Sequence, residues 1–195
     1  MRIGFDFDKV FVNYPPLVPP KLIDYLYKGK LAVLKEKTKN VELSYRYPGT
    51  FEQNIRILSH LPLFRKPLKK NITALKKICK EKNCNTYLVS SRFGFLRKRT
   101  NEWIKNNHLN KYFKGVYFNY HDEQPHLFKE KTIAKLKLDT YVDDDIDLLV
   151  YLSKKNQKLS LFWVTQKKES EYKMLPKSIV AIKDINELYT KYLKN

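Results

Sequence analysis

The chain has 195 residues, enough for one substantial core with a small appended module, and its 43% hydrophobic and 14% aromatic content excludes a disordered polymer despite the charge. Lys and Arg number 39 against 20 Asp and Glu, a net charge of +19 that attracts polyanions in general. The lysines are scattered through every segment instead of forming one arm or stripe, so a coding bias is preferred over a nucleic-acid footprint as their explanation.

No stretch approaches the roughly 20 apolar residues of a membrane span, and the start lacks the segments of a signal peptide. The expectation is a soluble, cytoplasmic protein with no membrane partner, in which Cys79 and Cys84 are reduced thiols.

Arg2 to Phe7 is short and apolar and predicts a buried first strand. It runs into Asp6, Asp8 and Lys9, within the sequence FDFDKVF. From Asn13 the texture changes, since Pro15, Pro16, Pro19 and Pro20 forbid a regular helix or central strand. Residues 13–65 therefore read as an inserted cap, with residues 1–12 and 66–195 as the core domain. Inside the cap, Lys21 to Tyr27 suits a short helix, Leu31 to Leu43 is ambiguous, and Thr50 with Gln53 suggests a capping box opening a helix to about Leu61.

After Pro67 the pattern is regular. Helices are expected over Leu68–Cys79, Leu96–Asn107, Lys129–Leu138, Ile146–Asn156 and Ile185–Tyr192. Strands are expected over Thr86–Val89, Val116–Phe118, Thr140–Val142, Leu159–Val164 and Ile179–Ile182. That alternation predicts an α/β fold of three layers, a Rossmann-like parallel sheet with helices on both faces and the small cap inserted after the first strand.

In such a sheet the loops after the strands share one edge. Asp6 and Asp8 would meet there with Ser90, Ser91 and Arg92 of VSSR and with Asp143, Asp144, Asp145 and Asp147 of VDDDID. Carboxylates so clustered repel one another unless a cation sits between them, and their oxygens suit Mg²⁺. One carboxylate can then attack an electrophile while another handles the proton, and a hydroxyl and a lysine can hold a phosphoryl group.

FDFDKVF, VSSR, FKEK and VDDDID resemble, in this order, the four motifs of the haloacid dehalogenase (HAD) superfamily of phosphohydrolases, and the resemblance spans nearly the whole chain. VSSR and YVDDD are most similar to its deoxyribonucleotidase-like branch. The resemblance implies Asp6 as a nucleophile that becomes an aspartyl phosphate and Asp8 as general acid and base. It implies Mg²⁺ held by Asp6, the backbone carbonyl of Asp8 and Asp144, aided by Asp143, with Ser90 on the phosphoryl group.

Lys129 and Lys131 both stand where a motif lysine is expected, and Lys129 is preferred because it is in helical phase with Ile133 and Leu136. Lys9 replaces the glycine usual in the turn after the first strand, a position where glycine relieves backbone strain. Lys9, Ser91, Arg92, Arg46 and Lys131 are candidate substrate contacts, Arg92 being either a clamp or a surface charge. Tyr45, Arg46, Tyr47 and Phe51 either stack a base or pack the cap onto the core, packing being preferred. His121 and His126, flanking Asp122 and Glu123, are a weaker zinc candidate than a loop pair.

The expected activity is Mg²⁺-dependent hydrolysis of a small phosphorylated metabolite, a nucleoside monophosphate among the candidates. The alternatives are a nucleic-acid-binding or end-processing protein and a non-catalytic binding module of the same fold. The substrate and the oligomeric state are not legible in the sequence.

Overall fold

A computed structural model describes residues 1–14, 43–167 and 175–194. The readings made for the prolines and helices of residues 15–42 lie outside the described residues.

Six strands form one wholly parallel sheet: β1 (Arg2–Phe5), β2 (Asn85–Ser90), β3 (Gly115–Phe118), β4 (Thr140–Asp143), β5 (Ser160–Val164) and β6 (Ile179–Ile182). Their order is β3-β2-β1-β4-β5-β6. The central strands read as nearly continuous apolar runs because both faces are covered, which a parallel sheet requires.

The helices are α1 (Thr50–Ser59), α2 (Lys69–Ile78), α3 (Arg97–Asn106), α4 (Pro125–Leu136), α5 (Ile146–Lys155) and α6 (Ile185–Leu188). Alternation along the strands sends Ile3, Phe5, Leu88, Val142 and Phe162 to one face, against Leu75, Trp103 and Ile185 of α2, α3 and α6. Val89, Tyr141, Leu161 and Trp163 point to the other, against Ile133 of α4 and Leu148, Leu149 and Leu152 of α5. These are the two outer layers expected from the sequence. Packing at β1 is close: a Cβ on Gly4 would come within 2.4 Å of Leu138 and 2.8 Å of Tyr141.

Some boundaries differ from the sequence reading. β1 ends at Phe5 because Phe7 to Val12 folds into a tight turn, in which Phe7 O accepts from the amides of Phe11 and Val12. α4 starts four residues before Lys129, with Pro125 in its first turn, where a missing N–H is harmless. The capping box is not formed: Gly49 is the N-cap of α1 without a side-chain bond, and Gln53 Nε2 donates to Pro48 O. The last helix is shorter, α6 passing into a wider turn over Tyr189–Leu193.

The chain moves outward from β1 through β2 to β3 and then returns to β4 on the other side of β1. β1 and β4 are thus the neighbours where the direction reverses, the place at which open α/β sheets leave a crevice at the carboxyl edge.

Candidate active site

Phe5 pairs with Val142 across β1 and β4, and the Asp6 amide donates to Val142 O at 2.8 Å. That register places Asp6 beside Asp143 and Asp144 at the crevice. Ligand oxygens of Asp6, Asp143 and Asp144 all lie within 4.8 Å of one another, and among the described residues this is the one acidic or histidine group so arranged. His121 and His126 join no such cluster there.

The acids are closely matched by cations. Lys129, buried on α4, has its Nζ 2.8 Å from Asp6 Oδ1 and 2.6 Å from Asp143 Oδ2. Burial alone would lower the lysine's pKa, but Asp143 and Asp6 outweigh it and hold Lys129 well above its ordinary value. Asp6 itself is pushed well above the usual carboxylate range by burial, with Lys129 pulling against that and Asp143, Asp8 and Asp144 adding to it. Lys131 is exposed and pairs with Glu123, on the other side of the helix start. Of the two candidate lysines, Lys129 is the one brought to the carboxylates.

Lys9 lies beside the same group. Its Nζ is 2.7 Å from Asp144 Oδ2. Its φ of 55° is the left-handed conformation that glycine adopts without strain and that a lysine rarely takes. Burial raises the Asp144 pKa, Lys9 lowers it and Asp143 raises it again, leaving it at about 7.

Asp8 is turned away from that cluster into a pair of arginines. Arg92 grips it with two bonds of 2.7 Å, from Nε to Oδ2 and Nη2 to Oδ1, and Arg65 Nη2 also donates to Oδ1. Burial would raise Asp8, but the two guanidinium groups hold it far below the usual carboxylate range. Arg92 is therefore neither a surface charge nor, in this arrangement, open to a substrate: it is 9% exposed, bonds Thr100, and lies over the Phe7 ring at 4.5 Å. Arg65 was missed in the sequence reading. Its only hint there was its place just before Pro67, where the chain rejoins the core.

The two site loops are anchored by tryptophans. Trp103 Nε1 donates to Arg65 O at 2.6 Å, and Trp163 Nε1 donates to Asp144 O at 3.0 Å. Asn71 Nδ2 donates to Val10 O at 2.7 Å and fixes the turn after β1 from beneath. Asp145 caps α5, accepting from the Asp147 amide, as its place in the sequence suggests.

Ser90 ends β2 and is buried, with Ser91 half-buried after it. Arg46 is exposed and engaged with Glu52, and Phe51 is 79% exposed. Tyr45 packs into the core: its ring stacks with His126 and its hydroxyl donates to Asp145 Oδ2 at 2.7 Å. Tyr47, half-exposed, meets Phe93 and Phe95 edge-on, its hydroxyl on Asp122.

No protein-family model and no curated protein sequence matches the chain. Solved structures do. A haloacid dehalogenase-like hydrolase from Bacteroides fragilis is 14% identical, with a TM-score of 0.65 over 96% of this chain and 98% of its own. A HAD-superfamily hydrolase, subfamily IA, variant 1, from Geobacter sulfurreducens is 13% identical, with a TM-score of 0.55 over 96% of each chain. The six-stranded parallel sheet flanked by helices is thus the HAD-like α/β fold.

Proposed function

We propose that this protein is a Mg²⁺-dependent phosphomonoesterase with Asp6 as its nucleophile. The observation that carries the reading is Asp6 at the end of β1, within ligand reach of Asp143 and Asp144 and in contact with Lys129. A carboxylate oxygen of Asp6 attacks phosphorus, the bond to the leaving oxygen breaks, and an aspartyl phosphate forms. Lys129 offsets negative charge on the transferring group, and the Ser90 hydroxyl holds one of its oxygens. Water then attacks phosphorus and the Asp6 carboxylate is released.

Asp8 serves the proton transfers. In its pairing with Arg65 and Arg92 it is ionised and suited to accept a proton from the attacking water. To protonate a leaving oxygen it must first leave the arginines and acquire a proton. Asp6, Asp143 and Asp144, with the backbone carbonyl of Asp8, are hard oxygen donors that fit Mg²⁺. When bound, that ion shields the carboxylates so that a phosphate dianion can approach them.

The described end of the insertion reaches this edge through Tyr45 on Asp145 and Tyr47 against Phe93. A nucleoside monophosphate is the favoured substrate form, because Tyr47, from the segment before α1, joins Phe95 and the buried Phe93 of the loop after Arg92 in one aromatic group. The test is phosphate release from an aryl phosphate and a panel of nucleoside monophosphates with Mg²⁺. Asp6→Asn should abolish it with an unchanged circular dichroism spectrum; release surviving the substitution overturns the nucleophile assignment.

A further inference from the structure

Asp6, Asp8, Asp143 and Asp144 meet four cations: Lys129 between Asp6 and Asp143, Arg65 and Arg92 on Asp8, and Lys9 on Asp144. With all four carboxylates ionised the eight side chains balance formally, and Asp145 adds to the field at Asp144. A divalent ion entering among Asp6, Asp143 and Asp144 meets two of these cations, Lys129 and Lys9.

We propose that Lys9 is a tethered counter-ion on Asp144 that a divalent cation has to displace, so that Lys9 sets the metal affinity of the site. The inference rests on Asp6, Asp143 and Asp144 being the metal ligands. An ammonium 2.7 Å from Asp144 Oδ2 and a metal ion about 2.1 Å from the same carboxylate would repel each other at close range.

Of the two cations on the metal-facing carboxylates, Lys9 is the more exposed. Lys129 is held between two buried carboxylates, its side chain 4% exposed, whereas the Lys9 side chain is 32% exposed. The backbone under Lys9 is fixed, because its amide bonds Val12 O at 2.8 Å and Phe7, Val10 and Phe11 around it are fully buried. Displacement is thus a side-chain movement, and there is room for it. Lys9 lines a cavity of about 500 Å³ together with Leu68, Gln166, Lys69, Lys70 and Lys183. In that cavity Lys70 is paired with Asp184, while Lys69 and Lys183 add positive charge to it. The Tyr14 ring, 4.4 Å from Nζ, adds to the hold.

The test is calorimetric titration of Mg²⁺, and of Mn²⁺ as a second probe, into the metal-free full chain at pH 8. Lys9→Met and Lys9→Gly should bind about tenfold tighter or more than the wild type, the factor an opposite charge at a largely buried carboxylate commands. Lys9→Arg should stay near the wild-type value. Melting temperature establishes that each variant is folded, and Lys9→Gly suits the left-handed backbone if Lys9→Met does not fold. A wild type that binds metal, with both neutral variants equal or weaker, overturns the counter-ion role and leaves the metal ligands standing. If no form takes up either ion at millimolar concentration, the ligand assignment fails and the inference with it.

Discussion

Lys129 and Asp6 meet at 2.8 Å inside the protein, with side chains only 4% and 7% exposed. A charge so enclosed is tolerated because each group is the other's solvent, and Asp143 completes the arrangement from the far side at 2.6 Å. Lys129→Met should therefore destabilise the protein by about 3–5 kcal/mol in urea unfolding near pH 8, because it leaves two buried carboxylates without their cation. Adding Asp143→Asn should recover part of the loss. Equal stability of the single and double variants would show that the two residues do not act as a pair.

The grip of Arg92 on Asp8 sets a pH profile. With its cations in place Asp8 remains ionised into acid. Arg92→Met removes the larger of the two guanidinium effects, so the Asp8 pKa should rise toward the ordinary carboxylate range. The acidic limb of kcat for an aryl phosphate, which includes the attack of water on the aspartyl phosphate, should then move to higher pH, the base form being lost sooner on acidification. An unmoved limb would mean that Asp8 does not govern it.

Asp144 makes stability fall as pH rises. Its folded pKa of about 7 lies above the unfolded value of about 3.9, so the folded state binds more protons between those limits. Stability of the metal-free protein should consequently fall as pH rises from about 4 to about 7, by at most ~4 kcal/mol from this residue. Asp6 pushes in the same direction. Thermal unfolding across that range should show a shallower decline in Asp144→Asn than in the wild type.

Tyr45 ties the segment before α1 to the core. Its hydroxyl donates to Asp145 Oδ2 at 2.7 Å, while its backbone exchanges bonds with the Gln124 side chain. Tyr45→Phe keeps the ring and loses the charged acceptor's donor, for an expected loss of about 1.5–3 kcal/mol. Limited proteolysis should show cleavage near residues 43–49 appearing sooner in the variant.

The strands and most helices were legible because each element after Pro67 alternates between periods of two and 3.6. Their order let Asp6 and Asp143 be placed on one edge, and parallel pairing through Phe5 and Val142 realises it. The pairing of Asp8 with Arg65 was not legible, since 57 positions separate them and the contact exists only once the chain returns from the insertion. Nor was that of Lys9 with Asp144, because a missing glycine signals backbone strain but says nothing of where the new side chain reaches. α4 begins at Pro125, four residues before Lys129, because a proline in the first turn gives up no helix hydrogen bond.

Both tryptophans in the chain hydrogen-bond, through the indole nitrogen, to a carbonyl of a site loop: Trp103 to Arg65 and Trp163 to Asp144. Intrinsic fluorescence excited at the indole band therefore comes entirely from two rings attached to the residues that hold Asp8 and face Lys9. With Trp163→Phe the emission reports the arginine side alone, and with Trp103→Phe the acidic side, so the native chain carries its own pair of optical labels on either flank of Asp6.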